Sequence, residues 1–135
     1  MVSVILVSHA SLASGFLDAS AMIVGPQSQF ESISFDHDSN LDTLFDSMWT
    51  RAQALDDGDG VLILADLLGG SPANTAAKLV SEQVRLVTGM NLPMLLDVLV
   101  NRQTKSLSEL ARLAVESGAA GVIDIYTMLQ EGDVS

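Results

Sequence analysis

The chain has no cysteine among its 135 residues, which excludes disulfides and thiolate-held metals and fits a reducing cytoplasm. Only six Lys and Arg stand against 17 Asp and Glu, for a net charge of −11. So few cations leave nothing with which to neutralise a nucleic-acid backbone, and an anionic membrane surface repels such a chain. No apolar run approaches the roughly 20 residues that cross a bilayer. Met1–Val7 is apolar but lacks a basic flank, and is read as a buried strand, not a signal segment. Two histidines, with no clustered carboxylates near His9, argue against a metal site, and nothing in the sequence calls for a cofactor. The partner class that the charge favours is a basic protein. The acid is uneven: Asp36, Asp38, Asp42, Asp46, Asp56, Asp57 and Asp59 face Arg51 alone.

What is present is a regular alternation of strand and helix signals in a single domain, with no repeat, linker or low-complexity tract. Val2–Val7 and Gly60–Ala65 are continuous apolar runs without alternation, as expected of strands covered on both faces. Phe30–Phe35 alternates and suits a strand toward the edge, and Val84–Thr88 makes a fourth. Leu12–Val24, stopped by Gly25-Pro26, has helical spacing. So does the stretch from Leu41 to Leu55, which Ser39 or Asn40 would cap. Ser71-Pro72 reads as N-cap and first position of a helix through about Val80. A short helix holds Pro93 in its first turn and runs through Val100. Ser106 and Glu109 form a capping box for a helix ended by Gly118 and Gly121. Val122–Tyr126 reads as a last strand, and the polar tail 130–135 as frayed.

Strands alternating with helices predict a doubly wound, mainly parallel α/β sheet with helices on both faces, and chemistry beyond the carboxyl ends of its central strands. Two unusual sequences stand at such ends: Ser8-His9 after the first strand and Asp66 through Ser71 after the third. Alone, His9 is an ordinary rim histidine and Asp66 an ordinary turn carboxylate of little weight in stability. Together they make a pair in which the carboxylate fixes one imidazole nitrogen as N–H and frees the other as a nucleophile. Gly69 and Gly70 let the backbone approach a ligand, and the helix start at Ser71 presents unpaired N–H groups to an anion. Gly69-Gly70-Ser71-Pro72 by itself is also simply a good loop-to-helix turn. His37, after the second strand, reads as a solvated loop residue, although a strand order of 2-1-3-4 would set that strand's end beside His9. Met90-Asn91-Leu92-Pro93 shapes the rim beyond the fourth strand.

Three segments, VILVSHASLASGF, VLILADLLGGSPANTAA and VTGMNLPMLLDVL, carry a resemblance over essentially the full chain. It is to the enzyme IIA domain of the mannose/fructose/sorbose class of the bacterial phosphoenolpyruvate-dependent sugar phosphotransferase system. By that resemblance His9 is the phosphorylated histidine, Asp66 the carboxylate that bonds it, and Ser71 the serine near the phosphate, in a site without metal. The histidine phosphocarrier HPr donates the phosphoryl group to His9 at Nε2. A IIB component accepts it for sugar import through membrane components IIC and IID. The resemblance also implies a homodimer that exchanges an antiparallel last strand, about residues 121–127. Leu67-Leu68 departs from a pair that varies within the family and bears on the rim or on partner choice.

Three rivals share these residues. His9, Asp66 and Ser71 stand in the order of a hydrolase triad, but Ser71 precedes proline and no G-x-S-x-G elbow is present. A receiver-like domain phosphorylated on Asp66 needs an acidic pair after the first strand, where Ser8-His9 stands instead. The phosphotransfer subunit of dihydroxyacetone kinase shares the early histidine and ranks second, because Gly69-Gly70-Ser71-Pro72 favours the sugar-transport class.

Overall fold

Apolar residues at consecutive strand positions need cover on both sides, and this requirement builds the three layers of the computed structural model, which describes residues 1–132. Strands β1 (Ser3–His9), β2 (Phe30–Phe35), β3 (Val61–Ala65) and β4 (Val84–Val87) form one sheet in the order β2-β1-β3-β4, every pairing parallel. Side chains alternate between faces. Val4 and Leu6 of β1, with Leu62 and Leu64 of β3, pack under α1 (Leu12–Val24), α4 (Leu92–Asn101) and α5 (Leu107–Ala120). Ile5 and Val7, with Val61, Ile63 and Ala65, pack against α2 (Leu41–Leu55) and α3 (Ser71–Ala77) on the other face. The chain therefore winds from β1 outward to β2 and then back across to β3. The switch point lies between β1 and β3, where a crevice opens beyond their carboxyl ends.

The local signals act as chemistry requires. Asn40 caps α2, its side chain accepting the Asp42 and Thr43 N–H groups, and the Ser106–Glu109 capping box is complete. At the far end of the sheet the buried Arg102 guanidinium donates to the carbonyls of Val2, Ser28 and Gln29 and to Gln27 Oε1. It ties the end of α4 to the α1–β2 connection with no carboxylate partner among the described residues, and burial lowers its pKa.

Four expectations are corrected. Val122–Tyr126 is not a strand: residues 122–124 are irregular and α6 (Ile125–Gln130) follows. The sheet of the described residues is thus wholly parallel, without an antiparallel last strand. The β-branched run there pairs with no strand among the described residues, and Asp124 caps α6 by accepting the Tyr126 N–H. Gly118 lies inside α5 instead of ending it, because a side chain there would collide with Met94 of α4. Gly121 is the C-cap. Helix α3 ends at Ala77, short of Val80, and its N-cap is Gly70, leaving Ser71 as the first helical residue. Of the tail, Gln130 closes α6 and residues 131–132 form a turn, while residues 133–135 lie outside the described range.

Candidate active site

His9 is the last residue of β1 and pairs in register with Phe35 of β2, so the strand delivers its side chain to the rim. Ala10 then takes a left-handed φ of 49°, unusual for a residue with a Cβ, and turns the chain out of the sheet. Its N–H donates to Phe35 O at 2.8 Å. Ser8 secures the turn from below. Its buried hydroxyl accepts the Ala13 N–H at 2.6 Å and donates to His9 O at 3.1 Å, so it serves α1 as a cap. A polar residue inside an apolar strand must find partners, and Ser8 carried that signal in the sequence.

Asp66 follows β3 directly, and the parallel β1–β3 register sets it beside His9. Its Oδ2 accepts both the His9 backbone N–H at 2.9 Å and the imidazole at Nδ1, 2.7 Å away. Its Oδ1 accepts the Leu67 N–H at 3.0 Å. The Asp66 side chain is only 7% exposed, against 47% for His9. Burial pushes the Asp66 carboxyl up, but the His9 backbone and ring N–H groups, with Leu67 N–H, hold it below its ordinary value of 3.8. An ionised carboxylate at 2.7 Å favours the tautomer with its proton on Nδ1, which leaves the Nε2 lone pair free on a half-exposed ring. Phe35 meets the imidazole edge-to-face, with centroids 6.2 Å apart. The sequence reading did not single out Phe35, whose role follows from cross-strand register.

Gly70 lies against the ring. A Cβ built on it would stand 2.8 Å from His9 Cε1 and 3.5 Å from Nε2, so the missing side chain makes room for the imidazole. Gly69 serves the turn itself, with φ +88° and open space where a Cβ would be. Its carbonyl accepts from Asn74 Nδ2 at 3.2 Å. No side chain caps α3. Ser71 stands one residue past Gly70, and among the described residues no hydrogen bond joins its hydroxyl to His9, so no triad is assembled. Leu67 and Leu68 are exposed beside the pair, and Leu67 Cδ2 lies against Gly70. Met90 donates its N–H to Ala65 O, and Asn91 caps α4 while donating to Gly118 O, which fixes the neighbouring rim. His37 is an exposed loop residue, as expected, yet with His9, Ala10, Phe35 and Asp36 it lines one cavity of about 340 Å³. The described residues hold no cluster of three or more metal-ligating side chains, and no helix among them is long and apolar enough to cross a membrane.

A family model described as the PTS system fructose IIA component, EIIA-man, matches residues 3–115. The chain is 39% identical over 111 residues to the PTS system sorbose-specific EIIA component of Lacticaseibacillus casei, covering 79% of this chain and 78% of that protein. It is 35% identical over 124 residues to the PTS system mannose-specific EIIAB component of Escherichia coli K12. That match covers 90% of this chain but only 38% of the relative's length. The crystal structure of phosphotransferase system component EIIA from Streptococcus agalactiae superposes with a TM-score of 0.87 at 26% identity, covering 94% of this chain and 99% of that one. With the fold and these relatives in agreement, the chain belongs to the EIIA-man family of phosphotransferase-system IIA components, the mannose, fructose and sorbose type.

Proposed function

We propose that the protein is a phosphoryl carrier in which His9 Nε2 accepts a phosphoryl group from phospho-HPr and passes it to a IIB component. The observation that carries this reading is the 2.7 Å bond between Asp66 and His9 Nδ1, which leaves Nε2 as the free nucleophile on a half-exposed ring. As Nε2 attacks, the N–P bond of the donor histidine breaks and its electron pair returns to the donor ring. The imidazole of His9 gains positive character, which the Asp66 carboxylate offsets through the Nδ1 proton. The reverse polarity releases the group to the acceptor. Such transfers depend on positioning and on offsetting the phosphoryl oxygens, and need little covalent chemistry from the protein. Gly69, Gly70 and the uncapped start of α3 at Ser71 line the approach, with backbone N–H groups and the Ser71 hydroxyl as donors.

The net charge of −11 favours a basic donor surface by long-range steering, and the apolar Leu67-Leu68 rim gives such a partner a dry contact. Sugar import then lies downstream, through IIC and IID, and this chain acts from the cytoplasmic side. A homodimer belongs to the same reading: Val122, Ile123, Ile125, Tyr126 and Leu129 are all more than half exposed, and a second copy would cover them. Sedimentation should give twice the chain mass; a monomer at micromolar concentration removes the dimer from the proposal.

The test of the central reading is incubation with phosphoenolpyruvate, enzyme I and HPr, followed by mapping of the label. It should be acid-labile, alkali-stable and confined to His9. Label on another residue, or undiminished label in His9→Ala, overturns the reading.

A further inference from the structure

The donors at Gly69–Ser71 are neutral groups, and the cavity on the β2 side of His9 holds little to offset charge. A phosphoryl group brings roughly two negative charges. It would arrive where the ionised Asp66 already lies behind His9 and Asp36 already lines the wall. None of the six Lys and Arg residues lines this cavity. Besides His9 itself, the one lining side chain able to hold a positive charge is His37.

The fold holds His37 in place. Phe35 is the register partner of His9, and the Ala10 N–H to Phe35 O bond joins the two strand ends. The chain then turns sharply. Ser39 Oγ accepts the Asp36 N–H at 2.8 Å and the Ser39 N–H donates to Asp36 O at 3.0 Å. His37 is carried within that turn. Asp36 and His37 line the His9 cavity, whereas Asp38 lines a neighbouring hollow between β2 and α2. The cavity, at about 340 Å³, is many times the roughly 30 Å³ share of one water, so it accommodates a phosphoryl group with its solvation.

We propose that His37 is a phosphoryl-binding residue of this chain, its imidazolium donating to the oxygens of the group on His9. The inference rests on His9 being the phosphoryl carrier. In the transfer step the donor's N–P bond breaks as the His9 Nε2–P bond forms. His37 keeps its proton throughout and supplies only an N–H···O contact and a positive charge. The groups facing it are Asp36 in the same turn and His9, with Asp66 behind.

The test compares native protein with His37→Gln and His37→Lys, each phosphorylated from phospho-HPr under the same conditions. Urea unfolding confirms that each variant is folded. His37→Gln should slow phosphorylation about tenfold, the scale of one charge-assisted hydrogen bond at a partly exposed site. His37→Lys, which keeps a positive donor, should restore the rate. A His37→Gln rate equal to native, or a His37→Lys rate no better than His37→Gln, overturns the proposal while leaving the carrier role of His9 standing. Label that survives His9→Ala overturns both.

Discussion

Gly70→Ala separates the site from the fold more cleanly than any substitution of a polar residue. The backbone at Gly70 has φ −80° and ψ 163°, which alanine adopts without strain. Through the unfolded chain alone, the change stabilises by about 0.4–1 kcal/mol. The new methyl, however, would lie 2.8 Å from His9 Cε1 and 3.4 Å from Leu67 Cδ2. Ordinary carbon contacts are about 3.5–4.0 Å, so the ring must withdraw by roughly 0.7 Å or more. It is tethered to Asp66 by a 2.7 Å bond, and a withdrawal of that size takes the bond beyond useful length. A displacement near 1 Å at a reacting atom costs on the order of 10²-fold in rate. Single-turnover labelling from phospho-HPr should therefore fall about 100-fold, while the urea midpoint shifts by the equivalent of no more than about 1 kcal/mol. Gly69→Ala inverts the pattern. Its φ of +88° makes alanine there cost about 1–2 kcal/mol, but the methyl meets open space and the His9 ring resonances stay put. Native transfer by Gly70→Ala would refute the steric reasoning, and so would a stability loss above about 3 kcal/mol, which would make Gly70 a packing residue.

Further expectations follow from the same geometry. Asp66→Asn should slow transfer by about 10²-fold or more, since the amide no longer holds the proton on Nδ1 or offsets the ring's charge; unchanged single-turnover rates would rule this out. The buried Asp66 side chain also accepts two backbone N–H groups, so the same variant should lose about 1–2 kcal/mol at pH 7, contrary to the small weight expected of a rim carboxylate. The folded-state pKa of Asp66 is depressed below 3.8. Its contribution is therefore complete above that value and lost as pH falls through the lower folded value. Urea midpoints of native protein and Asp66→Asn should converge on acidification, and a gap that does not narrow as pH falls below 3.8 would contradict the assignment. Ser8→Ala leaves the buried Ala13 N–H without its acceptor and should cost about 1–2 kcal/mol in chemical unfolding. Ala10→Gly relieves the left-handed strain after His9, with a net gain of about 0.5 kcal/mol once the looser unfolded chain is counted. A loss of stability in that variant would mean that the Ala10 methyl packs where the backbone alone does not require it.

Much of this architecture was legible because strong, local physics wrote it. Val2–Val7 and the run into Ala65 are apolar at every position, a pattern that suits central parallel strands, and both lie fully inside. Asn40, Ser106 and Glu109 announced helix starts because capping is a short-range bond between neighbours. The rule that ligands collect beyond central strand ends placed His9 and Asp66 together, and the structure sets them 2.7 Å apart. Where reading failed, composition was weighed without its context. Val122–Tyr126 has strand-like composition, but residues 122–124 are irregular and the Asp124 cap starts α6 at Ile125. Gly118 looked like a helix end, yet its function is close approach to Met94, more than 20 residues away.

By itself, then, the sequence determined the alternation of elements, the residues of the two cores and the chemical types at the rim. Apolar periodicity, capping bonds and nucleophile–carboxylate pairing are all encoded within short windows or by residue identity. Only the tertiary structure decided which atoms meet. It made Gly70, instead of Ser71, the cap and the floor of the imidazole. It set His9 Nδ1 2.7 Å from Asp66 Oδ2, and it brought His37 to the cavity of His9 through the β1–β2 register. His9 meets Phe35, Asp66 and Gly70 from 26, 57 and 61 positions away, and that geometry is set by strand register and sheet packing and not by any local preference.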